Sequence, residues 1–241
     1  MDYPTIFGII GLAALIHASF QLSISMVTLL SGHSLGSKAK ASRTLHLAGA
    51  FLAGVVVMTM LFVSFLAYLA TQLFPDGIPP LAWSGVAGIS IGLGVAVWAF
   101  YYRRTKVGTT LWIPRPMARF LSERTKATTL TAESFSLGLV SVVAEGIFIV
   151  APASAAALAL TQLPAPLQLA GIGLYTFVAS LSIIVVVMLI GSGHKLSRIQ
   201  KWREDNKRFL QFAAGSALLV LGFYMYVNEV VAAVTDIAGS L

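Results

Sequence analysis

Residues 135–160, FSLGLVSVVAEGIFIVAPASAAALAL, carry one ionisable side chain, Glu145, near the middle of a stretch long and apolar enough to span a bilayer. A carboxylate at membrane depth is costly unless it is neutral, paired or hydrated. The chain must therefore fold so that Glu145 is tolerated. Pro152 lies on the same stretch. It has no N–H and interrupts the hydrogen-bond ladder one turn earlier, near Phe148, which predicts a kink, a hinge or an exposed backbone ligand.

Composition extends this constraint to the whole chain. Of 241 residues, 57% are hydrophobic and 10% are charged, against about 25% charged in a soluble domain. An integral membrane protein is the fold class this implies. There is no cysteine, which excludes a disulfide framework, a thiol relay and cysteine-ligated metal. No basic leader and no small-residue cleavage site accompany the first apolar run, so a removable signal peptide is not expected.

Six apolar runs reach spanning length, at about residues 5–30, 46–74, 81–102, 132–160, 167–192 and 209–233. Their connectors alternate in charge. The first holds Lys38, Lys40 and Arg43. The third holds Arg103, Arg104, Lys106, Arg115, Arg119, Arg124 and Lys126. The fifth holds Lys195, Arg198, Lys201, Arg203, Lys207 and Arg208. These three contain all 16 Lys and Arg, while the second and fourth hold none. By the positive-inside rule the odd connectors are cytoplasmic and both termini lie outside, in a plasma (inner) membrane. The net charge of +7 is then a topology signal and a contact for anionic lipid headgroups, not a footprint for nucleic acid. Within the third connector, Trp112 and Phe120 flank a mixed apolar and basic segment suited to lying along the interface.

The runs divide into a first three-helix unit (1–102), a basic connector (103–131) and a second three-helix unit (132–241). The first and fourth runs are alike: Gly11-Leu12 precedes His17 as Gly138-Leu139 precedes Glu145. The third and sixth share GISIGLGVAVWAFYY against GSALLVLGFYMY. Three helices per unit is an odd number, so the second unit is inverted relative to the first, the plan of transporters with a midplane site. SGH recurs at His33 and His194; helix capping explains that echo best, with a gating or metal role as the alternative.

The polar residues inside the runs follow helical spacing. His17, Gln21, Ser25 and Thr28 form one stripe, and Ser134, Gly138, Ser141, Glu145 and Pro152 another. Lipid satisfies neither, so both should face inward. They could meet in a His17–Glu145 contact suited to a proton-coupled step, or lock two helices by a structural hydrogen bond. Thr176 and Ser180 share a face in the fifth run with the same inward expectation.

AGSALLVLGFYMYV (residues 214–227) and the glycine-bearing HLAGAFLAGVVV (46–57) after a short basic connector resemble the six-helix superfamily of lysine exporters (LysE) and DsbD/CcdA-type membrane proteins. The resemblance implies an outside N-terminus, two inverted three-helix units, and small-solute transport or electron relay. Three departures limit it: there is no Pro-Gly-Pro in the first run, no cysteine pair and no His-x4-Asp. Reductant transfer by cysteine chemistry is therefore excluded.

The leading expectation is a secondary transporter or exporter of a small solute or ion, coupled to protons or cations. Its site residues are Glu145, His17, Gln21, Ser141, Pro152, Ser25, Thr176 and Ser180. No nucleotide-binding, hydrolase or zinc-protease motif is present, so no enzyme, cofactor or metal site is expected. The runner-up is a non-catalytic scaffold whose basic loops dock a partner. A homodimer is compatible with a bundle this small, though no stretch marks its interface.

Overall fold

A computed structural model describes residues 2–20, 26–27, 30, 38–102, 115–192, 198, 201–202 and 205–232. All of the regular structure among them is helical. The elements are α1 (Tyr3–Ser19), α2 (Lys38–Leu73), α3 (Pro80–Ala96), α4 (Arg115–Ala127), α5 (Thr131–Ala144), α6 (Gly146–Leu160), α7 (Ala165–Gly191) and α8 (Lys207–Met225). Six-residue π segments extend α3 (Val97–Tyr102) and α8 (Tyr226–Val231).

Local signals explain the ends. The Asp2 carboxylate caps α1 by accepting from the Thr5 N–H at 3.3 Å. Proline fixes the first turns of α3 and α7. Between α2 and α3 the chain reverses at Gly77, whose φ of 112° is open to glycine alone at little cost.

Four helical stretches, Ser42–Leu73, Pro80–Phe100, Ala165–Gly191 and Arg208–Val231, are each long and apolar enough to cross a membrane. The pair α5–α6 supplies a fifth if it counts as one span. Their outward faces carry Phe65, Tyr68, Ile89, Ile147, Phe177, Met188, Val220 and Phe223, all exposed. That surface suits lipid rather than water. At 17 residues, α1 is shorter, and much of the first run after it lies outside the described residues. The fourth run is not the continuous helix its composition suggests. It bends by 78° between α5 and α6.

The bundle is interleaved. Each half's first helix packs in parallel with the other half's second helix. On one side α2 runs beside α5: Arg43 donates to the Thr129 carbonyl at 3.1 Å, Ser134 donates to the Leu47 carbonyl at 2.7 Å, and Gly54 faces Gly138. On the other, α1 runs beside α7, with Ile10 near Gly171 and His17 bonded to Tyr175. The third helices, α3 and α8, cross antiparallel: Gly94 meets Gly215, Ala87 meets Gly222, and Trp98 stacks on Phe212 at 5.5 Å. Leu45, near the start of α2, touches Gly191 at the end of α7. The basic residues Arg43, Arg124, Lys126 and Arg208 thus gather where α2, α5 and α8 begin and α7 ends.

Two apolar clusters form along the bundle. One unites α1 up to Ile16 with Val63, Trp83, Ala151–Leu160, Tyr175, Ala179 and Leu218. The other unites Met26, Val27, Phe51, Val55, Leu137, Val142, Ala144, Ile149 and Ile183. Leu121 of α4 is buried in the second cluster, while Phe120 is exposed. Leu121 thereby anchors α4 to the bundle. The Trp112 anchor lies outside the described residues.

A Cβ added at Gly54 or Gly138 would run into a backbone carbonyl of the facing helix, from Phe135 or Phe51 respectively. Backbone cannot yield as a flexible side chain does. Gly138→Ala is therefore expected to cost about 1–3 kcal/mol, the usual range for overpacking, with a lower melting temperature in detergent. Gly8→Ala, with open space at its Cβ, should be near neutral in the same measurement.

Candidate functional site

The last turn of α1 is held by α7. His17 and Tyr175 are both buried, and Nδ1 of the imidazole lies 3.0 Å from the Tyr175 hydroxyl. Either the phenol O–H donates to a bare Nδ1, or Nδ1–H donates to the phenol oxygen. Ser182, two turns along α7 from Tyr175, donates to the Ala18 carbonyl at 3.2 Å. Between these anchors lie Thr176 and Ser180, one turn apart and buried. Their hydroxyls have no hydrogen-bond partner among the described residues. Other hydroxyls in this chain bond back to the preceding turn, as Ser90 does to Val86 and Thr125 to Leu121. A buried hydroxyl left unbonded costs about 1–3 kcal/mol, so Thr176 and Ser180 stand out.

Glu145 sits at the bend. Its N–H closes α5 by donating to the Ser141 and Val142 carbonyls at 3.1 and 3.2 Å. Its own carbonyl opens α6 by accepting from Phe148 and Ile149 at 2.8 and 3.3 Å. One residue therefore ends one ladder and begins the next. The following Gly146 weakens helical propensity at this point. Although Glu145 is fully within the bundle, at 2% exposure, the bend puts backbone carbonyls at its level. Phe148, one turn on, stacks on Phe20, the residue that ends α1, with ring centroids 5.4 Å apart. The two helix ends are thus neighbours.

His17, Thr59 and Ser180 occupy the junction of the two apolar clusters, and Glu145 lies beside it, bracketed by Ala144 and Ile149 of the second. Along the first run the buried members of the first cluster end at Ile16 and those of the second begin at Met26, with His17 between them. On α2 the second cluster reaches Val55 and the first begins at Val63, with buried Thr59 between. On α7 the first cluster reaches Ala179 and the second begins at Ile183, with Ser180 between. Glu145 lies where α5 gives way to α6. The result is a polar belt across the bundle. Buried Lys or Arg is absent among the described residues.

Several expectations are refined. The stripe on α5 divides its labour: Ser134 and Gly138 serve the contact with α2, and Ser141 bonds the Gly138 carbonyl at 2.7 Å. Pro152 is buried inside α6, which runs through it, and the large bend falls at Glu145 instead. His17 is joined to Tyr175. Gln21, Ser25, Thr28, His33 and His194 lie outside the described residues. Among the described residues no group of three metal-ligating side chains occurs. Tyr175 and Thr59 complete the belt, though neither was among the expected site residues. Within an apolar helix an aromatic or a lone threonine reads as core; the spacing of Tyr175 beside Thr176 was the available signal. No known protein family matches the chain, and neither a curated protein nor a solved structure does.

The His17–Tyr175 bond should be measurable. Tyr175→Phe leaves a buried imidazole nitrogen without its partner and should lower unfolding stability by about 1–3 kcal/mol. The double variant His17→Leu/Tyr175→Phe removes both polar groups and should cost less than the sum of the single changes, as read from denaturant unfolding in micelles.

Proposed function

We propose that the chain is a secondary transporter, an exporter of a small solute or ion, in which Glu145 couples transport to protons or cations. Six spans are grouped in two inverted three-helix repeats, related in plan to LysE-type bundles. Both termini are outside, and the basic loops face the cytoplasm and its anionic lipid. The observation that carries this reading is a buried acid at a 78° helix break, beside a polar belt at the junction of two apolar clusters. Broken helices at the midplane are where transporters of this plan hold their cargo. A purely structural acid needs no interrupted helix beside it.

The inverted repeat is supported by the packing. Exchanging α1 with α5–α6, α2 with α7 and α3 with α8 turns the parallel pair α2–α5 into the parallel pair α7–α1. The same exchange turns the contact of α1 with α8 into that of α6 with α3. It maps α3–α8 onto itself, and that pair is antiparallel as inverted copies must be. Both members of that pair end in six-residue π segments. A cytoplasmic basic end is supported by Arg43, Arg124, Lys126 and Arg208 gathering together.

Two measurements test the reading. In proteoliposomes screened with small solutes, cations and amino acids, one solute should drive coupled ion movement. Glu145→Gln should lower that flux at least about 100-fold, the loss of roughly 2.7 kcal/mol of coupling, while the variant still purifies folded. If no solute moves and Glu145→Gln changes only the melting temperature, the scaffold reading takes its place. For topology, the absence of native cysteine permits single-cysteine labelling. Asp76→Cys should react with an impermeant maleimide from outside intact cells, and Lys126→Cys only after the membrane is opened.

A further inference from the structure

We infer that the polar belt binds a partly dehydrated monovalent cation of the sodium class, held by oxygen atoms alone where the C-terminal ends of α1 and α5 meet. The inference rests on the transport reading for the ion's role, which is coupling, though not for its binding.

The helix ends supply the field. α1 stops at Ser19 and α5 at Ala144, and their cap residues share one backbone conformation: φ −92°, ψ 3° at Phe20 and φ −79°, ψ −6° at Glu145. A helix C-terminus concentrates partial negative charge, and the carbonyls of Ile16, His17, Ala18, Ser141 and Val142, each accepting a bond there, keep a second lone pair that a cation can use. The Phe20–Phe148 stack at 5.4 Å brings the end of α1 to the first turn of α6, one turn past the end of α5. The Glu145 carboxylate, on a residue 2% exposed, belongs to the same place.

The hydroxyls point to a ligand that is more than a proton. Thr176 is 7% exposed and Ser180 1%, and neither hydroxyl has a hydrogen-bond partner among the described residues. They lie on the stretch of α7 that the His17–Tyr175 and Ser182–Ala18 bonds press against the end of α1. Ile183, on the stripe that Thr176 and Ser180 form, joins the same apolar cluster as Ala144 and Ile149, which bracket Glu145. A proton would occupy Glu145 and leave both hydroxyls unexplained. A cation uses the carboxylate, the hydroxyls and the carbonyls together.

Charge and donor type set the class. Oxygen donors select hard cations. One carboxylate balances one charge, whereas calcium draws on several carboxylates and six to eight oxygens. No lysine or arginine is buried among the described residues, so an anion would meet only negative ends.

The test uses the full chain in lipid nanodiscs, with NaCl replacing choline chloride at constant ionic strength and pH. The thermal midpoint should rise with Na⁺ and saturate. Thr176→Val/Ser180→Ala should raise the apparent Kd for Na⁺ at least tenfold, and Thr176→Ser should keep it near wild type. Glu145→Gln should abolish the response. A midpoint that follows choline chloride as it follows NaCl, or that ignores Na⁺, Li⁺ and K⁺ alike, overturns the inference, as does an unchanged Kd in the hydroxyl double variant. Flux measured in parallel separates the two readings. Na⁺-independent solute flux with no Na⁺ binding keeps the transporter and removes the sodium site. Saturable Na⁺ binding without any flux keeps the site and removes the transporter.

Discussion

Hydrocarbon offers no hydrogen bonds, and this constraint shapes the whole bundle. Each polar group inside has to be met by another part of the chain or held at a place that is not hydrocarbon. Most of the hydroxyls are met locally, by bonding to a carbonyl one turn back. Ser134 and Ser182 are met across helices. His17 is met by Tyr175. What remains without a partner among the described residues, the hydroxyls of Thr176 and Ser180, lies in one layer opposite the end of α1, near the helix break at Glu145. The two apolar clusters on either side isolate that layer from both ends of the bundle.

The packing that encloses the belt is made by exchange between halves. The second helix of each half packs chiefly against the first helix of the other: α2 clasps α5 through Gly54 and Gly138, and α7 clasps α1 through Gly171 and Tyr175, with Leu160 of α6 also against Gly171. Small residues permit that approach because lipid supplies no hydrophobic drive between helices, so contact area has to come from closeness. The α3–α8 pair uses the same device at Gly94, Gly215 and Gly222. Glycine thus does at three helix contacts what leucine does in a soluble bundle.

Much of this was legible in the sequence. A lone acid in an apolar run, basic connectors on alternate loops and inward-facing Thr176 and Ser180 need only spacing and composition. The location of the bend was not legible. Pro152 is the louder signal, because loss of an N–H is visible in one letter, yet α6 runs through it. The bend falls at Glu145–Gly146, where the requirement comes from tertiary packing against α1, α2 and α3 and leaves little local trace. Tyr175 was similarly muted. Its hydroxyl matters only because His17 lies within reach, and a contact between distant helices has no sequence period. The division of the α5 stripe into packing residues and a residue at the bend depends in the same way on the nearness of α2.

The parallel pairing of α1 with α7 and α2 with α5 also governs how the protein is made. When α1, α2 and α3 have entered the membrane, the grooves at Gly54 and Ile10 still await helices that the ribosome has not yet produced. The first half must wait as separate helices, and assembly begins only once α5 and α7 arrive. Biogenesis is then two-staged, insertion first and association after. The contacts that complete the bundle join residues far apart in the chain, the kind whose formation is slow. During that interval the unclasped helices are open to capture by membrane chaperones and proteases, so slower helix association lengthens their exposure even when the finished bundle is stable.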